Sequence, residues 1–394
     1  MEKNLGWLIG GLCVIIIAFF GVGIVLSYNT TLLQKDRSKD ISEPNVVPVA
    51  VPIITEEVKP AAVVTNHIKT PDPVRAVYMS AWVASTPSIR AKIIQLIDTT
   101  TINAVIIDIK DATGRVSFLV DDPIVADTGS PRALITDISG LIETLHAKNI
   151  YVIGRISVFQ DPYLAEKKPE WAIQSISTGK PWKDRKGLSF LSPTKPEVWN
   201  YMEHLAIASH NAGFDEINFD YIRFPSDGNI KDIAYPTGQG TKSDILEKFF
   251  VHLGERMRAE GITTSADLFG MTTTNTDDMG IGQVLEKTMP HFDFIAPMIY
   301  PSHYPKNFNG YANPAAKPYE IVTIAMKTGV ERAVAAGYTA SKFRPWIQDF
   351  DLGTKYTADM IRDQIRALHE QGIESYMVWD PANTYTVGAY NKTP

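Results

Sequence analysis

The chain has 394 residues, 44% of them hydrophobic and 10% aromatic, enough apolar material to bury one large α/β core or two smaller ones. A formal net charge of −6 with a pI near 5.8 gives no basic footprint, so nucleic acid is not expected among its partners. The single cysteine, Cys13, lies in an apolar run, which excludes intrachain disulfides and thiol catalysis alike.

In chain order, Leu5 to Leu26 carries no charge and has the length of a bilayer-spanning helix. The sequence therefore predicts a single-pass transmembrane anchor over residues 1–28. A cleavable signal peptide is the rival, but the apolar stretch exceeds the usual h-region of about 7–15 residues and no A-x-A site follows it. Lys35, Arg37 and Lys39 follow the span, and the positive-inside rule taken alone would leave the body in the cytoplasm. Asp36 and Asp40 intersperse those charges, large domains translocate regardless, and a cysteine-free body suits an oxidising compartment. The preferred expectation is an extracytoplasmic catalytic domain. Residues 29–73, with Pro44, Pro48, Pro52, Pro60, Pro71 and Pro73 spaced through them, read as an extended, semi-rigid linker.

From residue 74 to 394 a strand-then-helix pattern repeats. Strands are predicted at Arg75 to Trp82, Asn103 to Lys110, Ile150 to Val158, from Asp215 onward, Thr263 to Phe269, Phe292 to Tyr300, Phe343 to Phe350 and Ile373 to Asp380. Helices are predicted at Ser88 to Thr99, Ile135 to Lys148, Pro196 to Ala212, Ser243 to Glu260, Gly282 to Thr288, Pro318 to Ala336 and Thr357 to Gln371. This alternation predicts an α/β fold, a (β/α)₈ TIM barrel. Helix-to-strand links are short, whereas Asp111 to Leu134, Phe159 to Lys195, Phe224 to Lys242 and Pro301 to Lys317 are long; barrel enzymes elaborate that end because it surrounds the active site. A doubly wound sheet would usually carry a glycine-rich loop after its first strand, and Ala81-Trp82-Val83-Ala84-Ser85 stands there instead.

In the fourth segment, Asp215-Glu216-Ile217-Asn218-Phe219-Asp220-Tyr221-Ile222-Arg223-Phe224-Pro225, Ile217, Phe219 and Tyr221 share one face while Asn218 and Asp220 share the other. A carboxylate on a core strand is costly unless it is paired or lines a wet cavity. Asp220 is therefore either a catalytic group or a structural ion-pair partner of Arg155 or Arg223. Taking one parity at the strand ends collects Trp82, Asp108, Lys110, Arg155, Asn218, Asp220, Asp267, Met298, Tyr300, Trp346, Gln348 and Trp379 at the barrel mouth, with Asp349 replacing Gln348 should a bulge intervene. An interior filled only for stability would be mostly Val, Ile and Leu.

Two carboxyls with aromatic surfaces are what glycoside cleavage needs: one protonates the leaving oxygen, the other attacks the anomeric carbon or activates water. Asp220 and Asp267 fall at matching ends of adjacent predicted strands. Such strands lie about 4.8 Å apart, compatible with the ~5–5.5 Å carboxyl separation of retaining enzymes. Arg155, Arg223 and Lys110 either clamp an acidic sugar or pair with neighbouring carboxylates. His303 is a candidate for bonding a sugar hydroxyl, and Trp82, Tyr300, Trp346 and Trp379 either stack on sugar or fill the barrel. Neither H-E-x-x-H nor a strand-borne His-x-His occurs, so no metal or other cofactor is expected.

Seven blocks carry a family resemblance: Val74 to Tyr78, Asp108 to Gly114, Phe214 to Asp227, Ser265 to Gly270, Ile281 to Gln283, Ala296 to Tyr304 and Arg344 to Phe350. In this order they resemble the bacterial putative glycoside hydrolase domain family of uncharacterised substrate, over about Pro73 to Thr386. The resemblance implies a TIM-barrel hydrolase-like domain, often behind an N-terminal membrane segment, with Asp220 and Asp267 as its catalytic candidates. Comparison with amylase-like barrels makes Asp220 look like the nucleophile and Asp267 like the acid/base. The expected activity is hydrolysis of a cell-envelope or extracellular polysaccharide. The alternatives are a non-catalytic carbohydrate-binding barrel and an envelope scaffold.

Overall fold

The computed structural model describes residues 66–235 and 238–391. Eight parallel strands close into a barrel in sequence order: β1 (Arg75–Met79), β2 (Ala104–Lys110), β3 (Tyr151–Ser157), β4 (Glu216–Asp220), β5 (Thr263–Phe269), β6 (Phe294–Met298), β7 (Trp346–Gln348) and β8 (Tyr376–Trp379). Around it run the longer helices Pro87–Thr99, Ile138–His146, Pro196–Asn211, Lys242–Ala259, Pro318–Ala335 and Ala358–Glu370. The predicted (β/α)₈ architecture is thus present. No helix among the described residues is long and apolar enough to cross a membrane. The predicted anchor at 1–28 and the linker as far as residue 65 lie outside the described residues.

Strand alternation sorts side chains into two layers. Val77, Val105, Ile107, Val152, Ile217, Phe219, Leu268 and Val378 face outward into the core beneath the helices. Inside the barrel, small Ala76, Ala104 and Ala296 interleave with Ile106, Ile153, Tyr151, Trp346 and Met377, the filling that a tapered interior requires. Several strands end earlier than the apolar runs suggest. β1 stops at Met79, where the Ser80 side chain caps a short helix, Ala81–Ser85, that carries Trp82 away from the strand. β4 stops at Asp220 because Tyr221 turns left-handed, with φ of 53°.

One irregularity repositions a residue. The β2–β3 register shifts between Asp108, opposite Arg155, and Lys110, opposite Ile156, leaving Ile109 as the extra residue. Gly154 makes the space: a Cβ there would stand 2.3 Å from Ile109 Cδ1. Lys110 consequently takes the outward orientation of Ile156 and not the inward one its parity predicts.

At the N-terminal end of the strands the barrel is sealed by a matched ion pair. Arg344 Nη1 donates to both Glu216 oxygens at 2.8 and 2.7 Å, Tyr151 OH donates to Glu216 Oε2 at 3.1 Å, and the guanidinium lies 3.9 Å from the centroid of the Phe294 ring. Just below, the last linker residues dock, Ile68 N donating to Asp215 Oδ1 at 2.7 Å.

Candidate active site at the barrel mouth

At the C-terminal ends of β2 to β5 the polar parity of the strands converges. Asn218 pairs with Ser265 and Phe219 with Ala266 across β4 and β5, so the next residues along, Asp220 and Asp267, stand side by side. Three N–H groups hold Asp220. Arg155 Nε and Nη2 reach Oδ2 at 3.1 and 2.5 Å, and Tyr221 N reaches Oδ1 at 2.5 Å. The left-handed turn at Tyr221 supplies that last donor, at a conformational cost of about 1–2 kcal/mol. Arg155 also donates Nη1 to Asp108 Oδ1 at 2.7 Å, and Tyr78 OH donates to Asp108 Oδ2 at 2.5 Å. Burial opposes the guanidinium charge, but the Asp220 and Asp108 charges outweigh it and lift its pKa further.

Asp267 has a different environment. Only 1% exposed, it receives Asn218 Nδ2 and Trp346 Nε1 on the same oxygen, Oδ1, both at 2.8 Å. Burial, and then the neighbouring Asp220 charge, push its carboxyl well above the usual carboxylate range, against the smaller pull of Asn218, Arg155 and Trp346. The site therefore joins an arginine-paired carboxylate to a carboxyl that tends to keep its proton, the division that acid-assisted bond cleavage uses.

Asp108, Arg155, Asp220, Asp267, Trp346 and Trp82 line a cavity of about 420 Å³. A second cavity of about 330 Å³, lined by Arg223, Phe269, Met271, Met279, His303 and Tyr304, adjoins it. Asp220, Tyr221, Met298, Tyr300 and Trp379 line both, so the two lobes meet over the candidate nucleophile. Tyr300 and Trp379 pack with ring centroids 5.2 Å apart, and Phe350 braces Trp379 at 5.0 Å. Trp82, 60% exposed, stands at the rim on its own short helix.

Four predicted site residues do not line either cavity. Lys110, turned outward at the bulge, is fully buried and donates to Ser157 O at 2.5 Å and pairs with Asp161 Oδ2 at 2.9 Å. Gln348 accepts from Ser302 N and donates to Phe350 O, tying two mouth loops together. Asp349 is occupied by Thr386 and the Tyr390 hydroxyl. Asn218 touches the mouth only through Asp267. Conversely, Tyr78 was missed, although Val74, Ala76 and Tyr78 share the inward parity once β1 ends at Met79. Arg132, Met271 and Met279 reach the cavities from segments without strand periodicity. Among the described residues no cluster of His, Cys, Asp and Glu could hold a metal ion.

Eight parallel strands closed in sequence order define a TIM barrel. The chain belongs to the family described as "Putative glycosyl hydrolase domain", whose profile matches residues 76–385. A search among curated proteins finds no match. Among solved structures, a hypothetical protein from Ruminiclostridium thermocellum is 33% identical, with 52% of this chain and 98% of that one covered and a TM-score of 0.45. The glycoside hydrolase domain of PgaB (BpsB) from Bordetella bronchiseptica is 14% identical, covering 82% of this chain and 100% of that one with a TM-score of 0.60. The catalytic domain of a β-amylase from Paenibacillus polymyxa is 11% identical, covering 82% and 96% with a TM-score of 0.51. The last two show a shared fold.

Proposed function

We propose that the protein hydrolyses glycosidic bonds in a cell-envelope or extracellular polysaccharide, with retention of anomeric configuration. Asp220 attacks the anomeric carbon while Asp267 protonates the departing oxygen. In the second half-reaction Asp267 takes a proton from water, and the water releases the sugar from Asp220. The observation that carries this reading is the unequal pair: adjacent carboxyls, one held by Arg155 and the Tyr221 amide, the other buried and pushed toward its protonated form. Neighbouring strands about 4.8 Å apart suit the ~5–5.5 Å separation of retaining enzymes. Family membership supports the reaction class. Tyr300 and Trp379 supply flat apolar surface against which sugar rings stack. Tethering by residues 1–28, with the barrel held outside the cytoplasm on its Pro-rich linker, accords with a polymeric envelope substrate.

The test is release of reducing ends from a panel of envelope and extracellular polysaccharides by the full chain. Wild type is expected to turn over at least one, and Asp220→Asn to bind the same glycan without cleaving it. Binding by wild type with no turnover on any member would instead support a carbohydrate-binding barrel.

A further inference from the structure

The two lobes of the mouth differ in charge balance. The first contains Asp108, Asp111, Asp220 and Asp267 against Arg132 and Arg155, and its cations are already engaged, Arg155 by Asp108 and Asp220 and Arg132 by Asp111 at 3.6 Å. In the second, the one carboxylate is Asp220, which Arg155 already holds, and the permanent cation is Arg223. His303 adds no charge near neutrality, because burial lowers its pKa.

Arg223 is only 9% exposed, yet no carboxylate among the described residues lies within ion-pair distance of it. Nη1 donates to Phe224 O at 3.1 Å and to Ser226 Oγ at 3.3 Å. Nε and Nη2, the side-on edge of the guanidinium, have no acceptor among the described residues. The group is clamped between the Phe269 and Tyr221 rings, 4.7 and 5.3 Å from their centroids, which fixes its plane without neutralising it. On the same lobe the buried Tyr304 hydroxyl likewise lacks a partner among the described residues. The Asp220 and Asp184 charges favour its charged form only from a distance, and burial still lowers its pKa, so a buried cation with no carboxylate in contact is costly. Its vacant edge matches a planar carboxylate, which accepts two parallel N–H bonds.

We propose that the second lobe binds an acidic sugar unit whose carboxylate pairs with Arg223, making the substrate a uronate-bearing polysaccharide with the acidic residue next to the cleaved bond. This rests on the proposed hydrolase reading for the words "cleaved bond", but the binding claim stands by itself. The carboxylate belongs in this lobe and not in the first, where Asp111 would repel it and both arginines are already paired.

The experiment is equilibrium binding to full-length Asp220→Asn protein, which removes turnover. The probes are matched pairs of oligosaccharides: oligogalacturonate and oligoglucuronate, each beside its carboxyl-reduced neutral counterpart, with a sulfated neutral oligosaccharide as a further arm. At least one uronate should bind about tenfold or more tightly than its reduced partner, the scale of a charge-assisted pair in a dry site. Adding Arg223→Gln should abolish that preference, and Arg223→Lys should restore part of it, with melting temperature confirming that each variant folds. Equal affinity within every pair, no binding to any uronate, or a preference that survives Arg223→Gln overturns the proposal, as does preference for the sulfated arm alone. Hydrolysis of a neutral glycan accompanied by any of these results would leave the proposed activity standing and remove only this inference.

Discussion

The two ends of this barrel each bury an arginine among carboxylates, and they differ in arithmetic. At the sealed end Arg344 faces one carboxylate, Glu216, and Tyr151 completes the network. At the mouth Arg155 faces Asp108 and Asp220 directly, with Asp267 a step further on. One strand, β4, supplies Glu216 to the first cluster and Asp220 to the second, with Asn218 between them. Where charges match and solvent is excluded, the cluster serves the fold. Where one cation must serve several acids beside a cavity, burial pushes two of them, Asp267 and Asp108, toward their protonated forms.

The contrast is broken most forcefully by substitution at the mouth. Asp220→Asn or Asp267→Asn should each lower kcat by about 10²–10⁴-fold, measured as reducing-end release. The mirror experiment at the sealed end is Arg344→Met, which strands Glu216 without its counter-charge. It should cost about 3–5 kcal/mol in chemical denaturation while the fraction that remains folded keeps its kcat. Lys110→Met should behave in the same way by stranding Asp161, because that pair is buried away from both cavities.

A finer test uses the sign of the Asp267 shift. A carboxyl raised above its ordinary value of 3.8 holds a proton in the folded protein that the unfolded chain releases. The stability it confers is complete below about pH 3.8 and is lost as pH rises through the folded pKa. Asp267→Asn removes that loss and keeps an oxygen for Asn218 and Trp346. The variant should be about 0.5–2 kcal/mol more stable than wild type at neutral pH, and no more stable in acid. Wild-type kcat should fall on the alkaline side as Asp267 loses its proton, and a substrate with a highly acidic leaving group should flatten that limb. The smallest effect is expected at the rim, where Trp82→Ala should weaken glycan affinity only several-fold, about 0.5–1.5 kcal/mol, with kcat nearly unchanged.

The barrel was legible because burial on one face imposes period two on the strands, and short links at one end with long loops at the other give it polarity. Asp220, Asp267, Arg155 and Asp108 followed from that parity alone. Lys110 did not, because the bulge at Ile109 depends on space left by Gly154, more than forty positions away in the chain. Trp82 moved to the rim because Ser80 starts a helix within an apolar run. Gln348 sits where parity suggests the mouth and Asp349 where only a bulge would have brought it there, and Ser302, Thr386 and Tyr390 from distant segments claim their polar groups. Strand period speaks for β-structure, whereas partners delivered by loops are tertiary facts that no local pattern carries.

The central claim, that Asp220 attacks and Asp267 delivers the proton, is tested most directly by azide rescue of the two alanine variants on a cleaved glycan, with the anomeric configuration of the product read by NMR. The account predicts a glycosyl azide of inverted configuration from Asp220→Ala and one of retained configuration from Asp267→Ala. Exchanged configurations, or an Asp220→Ala protein that turns over like wild type without azide, would contradict it.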